Sequence, residues 1–341
     1  MTSTWTVRVV LCSLALLAPS SHVPDSPLPA SSLSVRDAHG AWQTIWTAAS
    51  STTSWRGAPL LARIPWRSAE GGLRWGELIL AGNGESWRTR LVVAQLDPQR
   101  MRLRLDSAFT QDRLPDWTIA RVSPTSVLAV NAGQFESTIP WGWVVIDGHR
   151  WLPAQHGPLA PALMQDDAGM LWWIPGDSVA LVAAGSRRVQ WAFQSYPALL
   201  ERDTVVYPLR ADGRGVSVTH RDARAAICLA RDGSVIVALT RFDGLGQSFG
   251  FIPFGLTAPE MAGVMGELGC RDAMLLDGGI SAQLLVRTPS GGSHRWAGIR
   301  AVPLALLAER TQAHSLGVLP PAFGEAGASP DGQRSTRVSR R

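Results

Sequence analysis

The chain has 341 residues, 45% of them hydrophobic and 17% charged, which allows one large domain or two ordinary ones with a sizeable core. Its formal net charge is +5, yet all 32 basic residues are Arg, and Asn occurs only at Asn83 and Asn131, a skew that reflects GC-rich coding. The arginines are scattered without a run or an aromatic-basic stripe, so the charge reads as solvated surface and excludes nucleic acid as the expected partner.

The start, 1–21, has the make-up of a secretory signal: Arg8 as positive flank, an apolar run over 9–18, and the small-residue exit Ala18-Pro19-Ser20. The run is too short to span a bilayer, and no later stretch is long and apolar enough, so no stable membrane span is expected. The expected location is secreted, periplasmic or cell envelope, with an N-terminally anchored protein as the alternative. Residues 22–74 read as a Pro/Ser-rich linker followed by an extension carrying Trp42, Trp46, Trp55 and Trp66 without clear periodicity. The main domain is expected over 75–310, and the Gly/Ser/Pro/Arg-rich 311–341 as a flexible tail.

Within the main domain strand signals dominate. An apolar run at 90–96, the turn Asp97-Pro98 and the alternation of Met101, Leu103 and Leu105 with Arg102, Arg104 and Asp106 predict a hairpin with one buried face. A short buried strand at 126–130 delivers Asn131-Ala132-Gly133-Gln134-Phe135, and another at 141–146 closes on Asp147-Gly148. The middle, 159–211, reads as a meander of strands. Two apolar runs flank Asp232-Gly233, the strongest hairpin signal in the chain. A helix follows: Thr257 and Glu260 form a capping box, Met261, Val264, Met265 and Leu268 an apolar stripe, and Gly269 the stop. It leads into Asp272-Ala-Met-Leu-Leu-Asp277-Gly278-Gly279-Ile280-Ser281, a buried strand ending in a carboxylate and a tight turn. Strands at 284–287 and 298–304 complete an α+β domain, strand-rich, with a mixed central sheet and a few packed helices.

Three polar groups stand at the ends of predicted buried strands: Asn131, Arg224 and Asp277. Each would be costly to bury unpaired. A guanidinium fork suits phosphate, a carboxylate can serve as acid, base or nucleophile, and an amide can bind sugar hydroxyls or an oxyanion. Taken alone, a structural salt bridge is the plainer account of Arg224 and Asp277, and a turn residue that of Asn131. Cys228 and Cys270 remain after removal of the start; they either pair in an oxidising compartment or stay as two buried thiols. There is no CxxC and no HExxH, so no zinc site is expected.

Several segments, in order, resemble the phosphodiester glycosidase family, whose bacterial members are associated with exopolysaccharide. Asn131-Ala-Gly-Gln-Phe135 resembles its Asn-Gly-x-Phe strand end, Arg224-Ala-Ala-Ile-Cys228 with Asp232-Gly233 its Arg-Thr-Ala-Ile-Gly strand and hairpin, and Gly255-Leu-Thr257-Ala-Pro-Glu260-Met-Ala262 its Gly-Leu-Thr-x-x-Glu-Leu-Ala helix start. Residues 268–281 resemble Leu-Gly-x-x-x-Ala-x-x-Leu-Asp-Gly-Gly-Gly-Ser, and Gly298-Ile-Arg300-Ala-Val302 the closing segment. The resemblance runs over about 91–308. It implies hydrolysis of a sugar-1-phosphodiester, with Asp277, Asn131 and Arg224 catalytic and Gly133, Gly278, Gly279, Ser281 and Arg300 binding substrate. Arg224 and the Gly278/Gly279 backbone would hold phosphate while Asn131 and Asp277 face the sugar. A second carboxylate is then wanted, with Asp222, Asp243 and Glu136 as candidates. The implied partner is a sugar-phosphate or phosphoglycan; no cofactor is expected, although Asp277 and Asn131 sharing a divalent cation is an alternative.

Ala132, Cys228 and Ile280 replace family glycines, and Ala132 and Ile280 would narrow the pocket or forbid positive φ. This keeps a second reading alive, a module that holds envelope phosphoglycans without cutting them. Gly279-Ile-Ser281-Ala-Gln283 also approaches a serine-hydrolase elbow, but lacks the last glycine and a following helix.

Overall fold

Period-two alternation builds the centre of the molecule. In the strands Thr89–Leu96, Ala225–Ala230, Val235–Phe242 and Cys270–Leu276, one set of side chains (Val92, Ala94, Ile227, Val237, Met274) enters one core and the alternate set (Val93, Ala226, Ile236, Ala273, Leu275) enters another. A strand apolar on both faces must be covered on both. In the computed structural model it is, over the described residues, which are 31–310 apart from 37–39, 49–53, 109–115, 186, 211–213, 245–251 and 253. The signal-like start, most of the linker and the tail beyond 310 lie outside them.

The main sheet runs, neighbour by neighbour, Thr204–Val205, Ala198–Glu201, Cys270–Leu276, Ala225–Ala230, Val235–Phe242, Thr89–Leu96, Arg74–Ala81, Ser32–Arg36 and Trp42–Thr47, with Arg67–Ser68 beside Arg74–Ala81. One face is covered by a second sheet, ordered Ser293–Trp296, Leu284–Arg287, Ser126–Asn131, Leu304–Arg310 and Met101–Ser107, and by a third, ordered His149–Leu152, Val144–Ile146, Val189–Gln194, Ala162–Asp166 and Leu171–Ile174. The other face is covered by the helix Ala258–Glu267 and the N-terminal extension. The α+β class holds. The expectation of a mixed central sheet is corrected: every ladder among the described residues is antiparallel. The helix Ala258–Glu267 does make a crossover between Val235–Phe242 and Cys270–Leu276, but Ala225–Ala230 lies between those two strands and pairs antiparallel with both, so they never pair with each other.

The helix begins as its sequence dictates. Thr257 accepts from the Glu260 N–H and Glu260 reaches back to the Thr257 N–H. Glu260 is fully buried and forms a salt bridge with Arg221 at 2.7 Å. Its interior glycines explain the tryptophans of the extension. A Cβ at Gly263 would sit 2.6 Å from the Trp46 ring and one at Gly266 2.3 Å from Trp55, so the helix gives up about 1 kcal/mol per glycine to let two indoles lie against it. The Trp55 Nε1–H donates to Glu267 at 2.9 Å. The extension, unplaced from sequence, thus packs on the helix and adds the hairpin Ser32–Arg36/Trp42–Thr47 to the sheet edge.

Three local expectations are corrected. The runs at 90–96 and 101–106 are not a hairpin: Asp97-Pro98 turns, but Thr89–Leu96 pairs within the main sheet while Met101–Ser107 pairs with Leu304–Arg310 in the sheet facing it. Leu96, Met101, Leu103 and Leu105 still enter one core, because the turn carries the chain across it. The last strand starts at Leu304 rather than 298, leaving 298–303 as a strap. The middle contains a helix, Gly176–Ala184, which lacks a side-chain cap and a strong apolar stripe. The Asp232-Gly233 hairpin and the helix starting after Thr257 stand as predicted. Cys228 and Cys270, both fully buried, form a disulfide with a Cα–Cα distance of 5.8 Å. No helix among the described residues is long and apolar enough to cross a membrane.

Candidate active site

Three strand ends meet. Ala225 pairs with Leu276, so Arg224 and Asp277 stand one step beyond the same end of neighbouring strands. The facing sheet brings the end of Ser126–Asn131 to the same place: the Asp277 N–H donates to the Gly133 carbonyl at 2.9 Å, and the Gly279 N–H to the Ala223 carbonyl at 2.7 Å.

Asn131 locks this junction. It is fully buried; its Nδ2 donates to the Asp277 carbonyl at 2.8 Å and its Oδ1 accepts from the Gln283 N–H at 2.9 Å. The expectation that it faces a sugar is corrected to a positioning role, and its oxygen is not open to a cation. Gln283, missed from sequence, extends the stitching. It is buried, accepts from the Ile119 N–H at 3.0 Å, and approaches the Ser281 and Arg300 carbonyls. The signal was a lone polar residue in an apolar run.

Asp277 itself is half-buried. Burial pushes its carboxyl up to about 6, with the like charge of Asp222 adding to the rise; the Ser281 hydroxyl, Arg300 and the Gly278 N–H pull the other way. Of the candidate second carboxylates, the one whose charge acts on Asp277 is Asp222. Its Oδ2 is the atom a Gly279 Cβ would meet at 2.8 Å, and burial raises its own pKa. It accepts from the Ala223 N–H at 2.8 Å and stands 3.8 Å from exposed His220 Nε2. Asp243 is excluded by its partners: Arg88 and Arg90 clamp it and hold its pKa below the usual range, although its burial opposes them. Glu136 is exposed on the short hairpin Phe135–Glu136/Ile139–Pro140.

The two glycines act by closeness. A Cβ at Gly278 would sit 2.6 Å from the Ala223 carbonyl oxygen, and Gly279 has φ +57° as well as its contact with Asp222. The expectation that they offer N–H groups to phosphate is corrected, since one N–H serves the Asp277 carboxylate and the other Ala223. Neither Ala132 nor Ile280 stands at positive φ, so losing glycine there imposes no backbone strain. Ser281 is buried and bonded to Asp277, and the chain continues into the strand Leu284–Arg287, so no nucleophile elbow is built.

Cations surround the pair unequally. Arg224 donates through Nε to the Leu256 carbonyl at 2.8 Å and through Nη2 to the His220 carbonyl at 2.6 Å; burial lowers its pKa and Asp222 opposes the fall. It braces the Asp222 loop, and the exposed cation near Asp277 is Arg300. That residue is exposed, lies 4.6 Å over the Phe135 ring, and acts on Asp277 as a positive charge. Arg241, also missed from sequence, is a buried cation at the end of an apolar strand. It donates to the carbonyls of Ala282, Trp296 and Ala297, with its pKa pushed down to about 10 by burial. Among the described residues no group of three or more His, Cys, Asp or Glu is placed to hold a metal.

A strand-built α+β domain presenting two elevated carboxylates beside an exposed arginine defines a hydrolase-like site. The family model for phosphodiester glycosidases matches residues 124–318, more than half of the chain, which therefore belongs to that family. Among solved structures, the catalytic domain of zebrafish N-acetylglucosamine-1-phosphodiester alpha-N-acetylglucosaminidase, auto-inhibited by its pro-peptide, is similar at 15% identity and TM-score 0.55, over 72% of this chain and 88% of that one. A hypothetical protein from Synechocystis is similar at 16% identity and TM-score 0.45, over 72% of this chain and 64% of that one. No curated protein sequence matches.

Proposed function

We propose that the protein hydrolyses a glycosyl phosphodiester at the bond between the anomeric carbon and the phosphate oxygen, in exported or envelope glycans. The observation that carries this reading is the Asp277 carboxylate, tuned to about 6 next to Asp222 and Arg300. A phosphate leaving group departs as an anion and needs little acid assistance, so the harder task is delivering water to the anomeric carbon. Asp277 takes the proton of that water; Asp222 stabilises the positive charge that develops on the ring; Arg300 holds the departing phosphate. The C–O bond breaks, the sugar gains the hydroxyl, and a phosphate monoester leaves. The signal-like start and the Cys228–Cys270 disulfide support an oxidising, exported setting.

The test is turnover of a panel of sugar-1-phosphodiesters, beginning with N-acetylglucosamine, the sugar named for the zebrafish structure. A base at about 6 predicts kcat/KM rising with pH through that value. Equal activity in Asp277→Asn would remove Asp277 from the mechanism. Binding of the panel with no turnover anywhere would favour the non-catalytic module.

A further inference from the structure

On the face of the main sheet that meets the second sheet, the inward positions change character near the site. Val92, Ala94, Val237 and Leu239 are core. One or two steps along the same alternation come Arg90, Arg241 and Asp243, with Glu77 on the neighbouring strand, and they border a cleft of about 760 Å³, within the range of ligand pockets. The opposite wall is the edge strand Ser293–Trp296, where Trp296 lies 5.5 Å and His294 4.3 Å from the Trp75 ring. Inward-facing charge costs stability unless something answers it.

Part of that charge is answered within the protein. Arg90 bridges Glu77 at 2.6 Å and also bonds Asp243. The remainder is positive. Arg241 meets only carbonyls, all through Nη2; among the described residues no acceptor meets its other N–H groups. Arg67 and Arg295 border the same cleft and are exposed. Neither forms a salt bridge with a described carboxylate: Arg67 lies 4.8 Å over the Trp75 ring and Arg295 bonds Ser293.

The cleft also adjoins the candidate active site. Gly298 and Ile299 line it; the Ile299 and Arg300 N–H groups both donate to the Ile280 carbonyl, in the Asp277 turn. Arg241 feels the charge of Asp222. The segment 298–300 therefore connects the cleft wall to the turn that carries Asp277.

We propose that this cleft is a second subsite, binding an anionic group one unit away from the scissile phosphate, with Arg241 as its inner cation and Arg67 and Arg295 at its mouth. The substrate class is then a polyanionic glycan, carrying repeated phosphodiesters or acidic sugars, rather than an isolated diester. The assignment rests on the proposed function for its orientation, not for anion binding itself.

The test uses the full chain and three probes built on N-acetylglucosamine 1-phosphate diesters: one extended by a second phosphodiester-linked sugar, one by glucuronate, one by neutral glucose. Calorimetry in Asp277→Asn reads binding without turnover, and kinetics in the wild type read KM. One or both charged extensions are expected to bind about tenfold tighter than the neutral one, with salt reducing the gap. The better of the two identifies the anion. Arg67→Glu/Arg295→Glu, at two exposed positions, is expected to reduce the preference severalfold while the neutral probe binds as before; adding Arg241→Gln, if that variant folds, is expected to remove what is left. Equal binding of charged and neutral extensions, or a preference unmoved by the double variant, overturns the subsite. Turnover without charge preference sinks the subsite and spares the glycosidase reading. Charge-selective binding without turnover does the reverse.

Discussion

The strands Ala225–Ala230 and Cys270–Leu276 end in opposite ways. Towards one end the Cys228–Cys270 disulfide joins them inside an apolar core. At the other they carry Asp222 and Asp277, two carboxylates with raised pKa values and, among the described residues, no arginine hydrogen-bonded to either. Two carboxylates near one another destabilise a fold, and the structure keeps them together with Asn131, two glycines and backbone bonds. The lesson is a division of labour along one strand pair: covalent and apolar stabilisation at one end permits electrostatic strain at the other. Asp243, held by Arg88 and Arg90, shows what an acid in this fold looks like when its task is structural.

The contrast breaks most visibly at Asp277. Asp277→Asn is expected to lower kcat/KM about a thousandfold while raising stability at pH 7.5 by about 1–2 kcal/mol, after discounting for partial exposure. The sign follows from the carboxyl holding its proton up to about 6 when folded against 3.8 ordinarily. Wild-type stability therefore falls as pH rises from about 4 to about 6, and thermal unfolding of the variant should lose that slope.

Next comes the spacing of the pair. Gly279→Val places a branched side chain at φ +57° and against Asp222, and should cost about a hundredfold in kcat/KM and about 1–3 kcal/mol in unfolding free energy. At the stapled end the pattern inverts: Cys228→Ala/Cys270→Ala should lower stability by about 2–4 kcal/mol in denaturant titrations and leave kcat within about twofold. A large loss of kcat there would erase the distinction between the ends. The smallest effect belongs to Arg300→Ala. It should raise KM about tenfold and move the acid limb of the pH profile slightly upward, because Arg300 pulls the Asp277 pKa down through partly screened charge.

Much of this was legible in the sequence because local rules agree with the global fold there. The Thr257–Glu260 capping box, the Asp232-Gly233 hairpin and the run ending at Asp277 are local signals with local consequences. What escaped depends on contacts between distant segments. Asn131 and Asp277 were recognisable as strand-end polar groups, but only the facing sheet reveals that the Asn131 amide is spent on the Asp277 carbonyl and the Gln283 N–H. Arg224 stood out by its position and proved to brace carbonyls; Arg241, at the end of a similar apolar strand, borders the cleft. The glycines were read as anion binders, and their reason is the proximity of Ala223 and Asp222, which no spacing in the chain announces. The turn at Asp97-Pro98 had hairpin chemistry; the need of Thr89–Leu96 for partners on both sides sent the next strand to another sheet.

The central claim is that water attacks the anomeric carbon with Asp277 as base. Hydrolysis in ¹⁸O-labelled water, followed by mass spectrometry of both products, tests it directly. The account predicts the label in the released sugar, none in the phosphate monoester, and almost no labelled product from Asp277→Asn. Label in the phosphate would mean attack at phosphorus, and would contradict it.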